Sequence, residues 1–118
     1  MHVLIIEDEA LLAIDLQCFL EELGAETCAH AETEAEAIRL ALDRRPDLIT
    51  ADVNLREGTG PAAVRTIRES IGDIPVVYVT GNPGCCGTLD ANTHALKKPV
   101  LWLKLVEALQ SHGLPIVT

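Results

Sequence analysis

The sequence predicts an α/β domain, a doubly wound five-stranded parallel sheet with helices on both faces. Three observations lead there. Short unbroken aliphatic runs such as "VLII" and "PVVYV" read as strands buried on both faces. Between such runs, apolar residues recur at the spacing of one helix face, so strand and helix alternate along the chain. Four of the runs end on polar residues, and in an open parallel sheet all strand carboxyl ends share one edge, where ligands bind.

Each element has its own signal. Val3 to Ile6 is the first strand. Leu12, Leu16, Phe19, Leu20 and Leu23 then keep helical spacing, with Gly24 where a helix C-cap belongs. Residues 26–30 form a modest second strand. Thr33-Glu34-Ala35-Glu36 has the form of a capping box ahead of an Ala/Ile/Leu stripe that runs to Arg45, where Pro46 ends it. Residues 47–51 form a third strand ending at Asp52. After "REGTG", Pro61 suits the first turn of a helix that carries Val64, Ile67 and Ile71 on one face. "IPVVYVT" is the clearest buried strand and ends at Thr80. "GNPGCCGTLDANT", rich in glycine, is a poor regular helix, so any helix between the fourth and fifth strands is short or absent. His94 to Lys97 is a short fifth strand. It leads through Lys98-Pro99 to a last helix with Leu101, Leu105, Ala108 and Leu109 inside and Gly113 near its end.

Composition narrows the function. A length of 118 residues suits one domain spanning 1–118. Aromatic residues make up only 3% and the formal charge is −9, which disfavours base stacking and direct nucleic-acid binding and fits a soluble protein or a cation site. No apolar stretch is long enough to span a bilayer and no signal peptide precedes the first strand, so a cytoplasmic protein with no membrane association is expected. Cysteines 18, 28, 85 and 86 match no zinc-ligand spacing and read as reduced thiols.

The residues that end strands one, three, four and five are Glu7/Asp8, Asp52, Thr80 and Lys98, and the topology makes them neighbours. Crowded carboxylates repel one another, and a bound cation relieves this. An all-oxygen donor set favours Mg²⁺, which accepts one or two carboxylates together with phosphate oxygens. Asp52 is then placed to act as a nucleophile toward phosphorus, with Lys98 and a Thr80 hydroxyl stabilising charge on the transferring oxygens.

At this point the sequence resembles the receiver domain of two-component response regulators, including the single-domain chemotaxis type. "VLIIEDE", "PDLITADVNL", "IPVVYVTG" and "KKP" match that family's signatures in order. The resemblance implies a flavodoxin-like sheet of order 2-1-3-4-5. It implies phosphoryl transfer to Asp52 from a sensor histidine kinase or phosphotransfer protein. It further implies that Mg²⁺ is held directly by Asp8, through water by Glu7, by Asp52, and by the backbone carbonyl of Asn54. Thr80 matches the switch hydroxyl and Lys98 the phosphate-binding lysine, ahead of an X-Pro bond that is often cis. Lys97 faces the other way, since adjacent strand residues point to opposite faces. The domain catalyses only its own phosphorylation and dephosphorylation. Its signal leaves through a protein partner that the sequence does not name, and the resemblance admits a homodimer.

Two positions depart from the family pattern. Ala95 stands where many receivers carry an aromatic switch residue, and the interval between Thr80 and Lys98 is short and glycine-rich. Both features resemble the subgroup typified by certain general-stress regulators. They point to the loop after Thr80 as the element that carries the signal. Rival readings fit less well. A flavin carrier needs a phosphate loop after strand one, and a dehalogenase-type phosphatase needs an acid at Asn54. The alternative from a different class is a pseudo-receiver, an interaction module that never takes phosphate.

Overall fold

The computed structural model describes residues 1–81 and 90–116. Five parallel strands, β1 (His2–Ile6), β2 (Thr27–Ala31), β3 (Leu48–Ala51), β4 (Val76–Thr80) and β5 (Thr93–Lys97), form one sheet of order β2-β1-β3-β4-β5. The described helices are α1 (Ala10–Glu22), α2 (Glu34–Asp43), α3 (Gly60–Ile71) and α4 (Trp102–Ser111). The doubly wound sheet and its strand order are those expected. The expected shortening of a helix between β4 and β5, the loop assigned to signalling, and Cys85 and Cys86 fall largely on residues 82–89, outside the described residues. No helix among the described residues is long and apolar enough to cross a membrane.

Strand alternation sorts the core into two layers. Val3, Ile5, Val77 and Val79 point to one face and pack against Leu16 and Leu20 of α1 and Leu105 and Leu109 of α4. Leu4, Ile6, Ile49 and Val76 point to the other, against Ala37 and Ala41 of α2 and Val64 and Ile67 of α3. Both faces are covered, which is why β1, β3 and β4 are buried along their whole length. Phe19 and Trp102 meet edge to face, with centroids 5.3 Å apart, and join α1 to α4.

Element ends differ from the sequence expectation for local reasons. α1 ends with Leu23 as its C-cap, and Gly24 follows it. β2 is shifted one residue on, to 27–31. α2 stops at Asp43, with Arg44 already extended, just ahead of Arg45, which Pro46 disfavours in a helix. The capping box is offset. The Thr33 hydroxyl accepts from the Glu36 amide at 3.2 Å, but Glu36 Oε1 accepts from the Glu32 amide at 2.9 Å, one residue earlier than Thr33. Leu101 is a correction: it is the N-cap of α4 and 61% exposed, so the buried stripe of that helix begins at Leu105.

At the amino-terminal edge of the sheet a hydrogen-bonded chain ties α4 to β5. Asn92 Nδ2 donates to the Asp73 carbonyl at 3.0 Å, so its Oδ1 accepts from His112 Nδ1–H at 3.2 Å. His112 Nε2 must then accept from His94 Nδ1–H, 2.9 Å away. Burial first, and then the neighbouring His94 and Arg68 charges, hold the His112 pKa below its usual value, against a smaller opposing pull from Asp90. A depressed histidine pKa leaves stability complete above the unfolded value of about 6.5 and removes it as pH falls, because the unfolded state takes up the proton first. His2, lowered by burial and then by Arg44, acts with the same sign. The melting temperature should therefore fall as pH drops from about 7 to about 5.5, and His112→Gln should flatten that slope. Equal slopes in the two proteins would contradict this reading.

Candidate functional site

Glu7 and Asp8 follow β1 directly, Asp52 follows β3, Thr80 ends β4 and Lys98 follows β5. The parallel sheet carries all five to its carboxyl edge, as the sequence predicts. One carboxylate oxygen from each of Glu7, Asp8 and Asp52 lies within 4.8 Å of the others. Lys98 Nζ donates to Asp52 Oδ2 at 2.9 Å and lies 3.2 Å from Glu7 Oε1. An open cleft of about 550 Å³ is lined by Asp8, Asp52, Asn54, Thr80, Gly81 and Lys98.

The acids occupy different environments. Glu7 is 1% exposed, while Asp8 and Asp52 are half-buried at the cleft. Burial pushes the Glu7 carboxyl above the usual carboxylate range. The Glu9 amide, 3.1 Å from Glu7 Oε2, opposes that rise, the Asp52 charge adds to it, and Lys98 offsets part of it. Burial alone would lower the Lys98 pKa, but the hydrogen bond to Asp52 and the charge of Glu7 outweigh it and raise the pKa instead. Three clustered acids, two of them paired with one ammonium, offer the oxygen donors that a hard divalent cation accepts.

Several supports escaped the sequence reading. His30 Nε2 lies 2.6 Å from the Glu7 carbonyl and pins the end of β1. Gly60 packs so closely on the Asp52 carbonyl that an added Cβ would overlap it, and its amide donates to the Val53 carbonyl at 2.9 Å. The only sequence hint at Gly60 was the Gly-Pro turn signal, and nothing marked His30. Asn54 is exposed at the cleft, and its backbone bridges Thr59. Lys97, the last residue of β5, is exposed, whereas Lys98 turns into the site. The Lys98–Pro99 bond is cis. Thr80 is buried, and its carbonyl accepts from the Lys98 amide at 2.8 Å.

Comparison with known proteins agrees with this arrangement. Residues 3–110 match the response regulator receiver domain family. The phyllosphere-induced regulator PhyR of Methylorubrum extorquens is 40% identical over 84 residues, which cover 70% of this chain and 31% of that protein. The chain thus spans about a third of that relative's length. The receiver domain of Erythrobacter litoralis PhyR, solved by NMR, superposes with a TM-score of 0.85 at 28% identity, covering 97% of this chain and 91% of that one. A mutant of the anti-anti-sigma factor PhyR from Bartonella quintana gives a TM-score of 0.79 at 33% identity, over 94% of this chain and 47% of its own. Strand order, the acid cluster facing one lysine at the carboxyl edge, and the family match lead to one conclusion: the chain belongs to the response regulator receiver domain family of two-component signalling.

Proposed function

We propose that this receiver accepts a phosphoryl group on Asp52 from a phosphohistidine of a sensor histidine kinase or phosphotransfer protein, in a Mg²⁺-dependent reaction in the cytoplasm. The observation that carries the proposal is Asp52 seated 2.9 Å from Lys98 and within 4.8 Å of the Glu7 and Asp8 oxygens. Asp8, Asp52 and the Asn54 carbonyl would hold the ion directly, and buried Glu7 through water. When bound, the ion neutralises the acids and screens charge on the phosphoryl oxygens.

The chain's own groups do the rest. An Asp52 carboxylate oxygen forms the new bond to phosphorus as the phosphorus–nitrogen bond breaks, and that electron pair returns to the donor imidazole. Lys98, already at Asp52, transfers its hydrogen bond to a phosphoryl oxygen, and the Thr80 hydroxyl donates to another. Leu11, in the first turn of α1 and 79% exposed, offers a donor protein an apolar contact beside the acids. Resemblance to PhyR supports a protein partner as the recipient of the signal, and the charge of −9 sets direct nucleic-acid contact aside.

The test is labelling with acetyl phosphate. Incorporation should require Mg²⁺ and should fall sharply in Asp8→Asn. No labelling at all would instead favour an interaction module that takes no phosphate, and labelling that ignores Mg²⁺ would overturn the metal-dependent step. Mg²⁺ should also stabilise the fold by mass action, by roughly 5 °C at ten times its dissociation constant. Asp8→Asn should lose most of that rise. An equal rise in both proteins would place the ion elsewhere.

A further inference from the structure

We infer that Glu34, on the far side of α2's first turn, is a positioning residue for the metal side of the site, acting through the loop that carries Asn54. The inference rests on the functional reading above. In that reading Asn54 contributes a backbone carbonyl, so its place depends on how residues 53–59 are held. Little apolar packing holds them: Asn54 and residues 56–59 are exposed, leaving Val53 buried and Leu55 partly so.

Polar contacts hold the loop instead, and Glu34 supplies two of them. Its backbone amide donates to the Glu57 carbonyl at 3.1 Å, and its Oε1 accepts from the Thr59 amide at 3.1 Å. Thr59 is the residue whose backbone bridges Asn54, so the carboxylate is one residue pair away from the proposed ligand. Gly58 lies against the same side chain with φ of +84°, and a Cβ there would come within 2.5 Å of both Glu34 Cβ and Oε1. The neighbouring Arg56–Glu32 pair, at 3.2 Å, is exposed on both sides and adds little. A carboxylate in the first turn of α2 also favours the helix dipole, so the two roles need separating. Glu34→Gln keeps an oxygen acceptor and loses the charge, whereas Glu34→Ala loses both.

Calorimetric titration of Mg²⁺ into the full chain, with amide exchange at Thr59, tests this. Glu34→Ala should lose roughly tenfold in Mg²⁺ affinity, the low end for groups that orient metal ligands, and its Thr59 amide should exchange faster. Glu34→Gln should restore both, although it lacks the dipole charge. Gly58→Ala, which forces the loop off Glu34 and leaves the α2 cap in place, should reproduce the affinity loss if Glu34→Ala does not fold. Wild-type affinity in Glu34→Ala or in Gly58→Ala overturns the inference, as does a Glu34→Gln variant as weak as Glu34→Ala. If the wild type itself binds no Mg²⁺, the functional reading fails and the inference fails with it, an outcome distinct from the others.

Discussion

Asp52→Ala should abolish incorporation from acetyl phosphate, a loss of at least roughly 10³-fold, because the proposed reaction forms its new bond at the Asp52 carboxylate. Among the three acids, the geometry supports Asp52 as the proposed acceptor. Glu7 is buried and held by Lys98 and the Glu9 amide, which leaves it poorly placed to attack an incoming phosphorus. Asp52 and Asp8 both line the cleft, but Lys98 hydrogen-bonds to Asp52, so the ammonium that balances the transferring oxygens sits beside that carboxylate. The variant should stay folded. Lys98 retains Glu7 as a partner at 3.2 Å, and removing one of three crowded charges relieves repulsion. Its melting temperature without Mg²⁺ should therefore stay close to the wild type. Labelling of a folded Asp52→Ala protein at the wild-type rate would assign the acceptor to another residue.

A large effect on stability should come from Arg68→Ala, at the opposite edge of the sheet. Arg68 reaches from α3 across the starts of β4 and β5. Its Nε and Nη2 donate to the Ile74 carbonyl at 3.1 and 2.8 Å, and Nη2 also reaches the Asn92 carbonyl at 3.1 Å and Thr93 Oγ1 at 3.0 Å. Its ion pairs with Asp73 and Asp90 involve exposed carboxylates, 72% and 59% exposed, and contribute little. The carbonyls matter more, since the Arg68 side chain is only 17% exposed and its removal leaves the Ile74 and Asn92 carbonyls without their charged donor. Charge-assisted hydrogen bonds of this kind put the cost at about 3 kcal/mol, or roughly 10–15 °C in melting temperature for a domain of this size. Arg68→Lys should recover little, because an ammonium cannot serve several acceptors in a planar fork. Well below the transition, phosphorylation should proceed normally, since none of these contacts touches the acid cluster. A loss under about 3 °C would show the fork to be dispensable.

Much of this molecule was legible in one dimension. A strand covered on both faces has no polar side, so β1 and β4 appear as unbroken aliphatic runs, and the helices between them keep their stripes. Once strands and helices alternate, right-handed crossovers bring Glu7, Asp8, Asp52, Thr80 and Lys98 to one edge; alternation lets only one of Lys97 and Lys98 reach it, and the family resemblance selects Lys98. Polar contacts between loops and element ends carry no such period. His30 to the Glu7 carbonyl, Glu34 to the Thr59 amide and Arg68 to the Asn92 carbonyl join residues 23, 25 and 24 apart in sequence. Their residue types are those of any solvated surface. Leu101 was misplaced for a related reason: helical spacing marks a stripe but not the turn at which the helix first meets the sheet. The sequence by itself therefore determined which faces are buried and which residues gather at the carboxyl edge, because burial is periodic along the chain. Only the tertiary structure decided how that edge is held, because hydrogen bonds between distant loops depend on where the packed elements leave their unpaired amides and carbonyls.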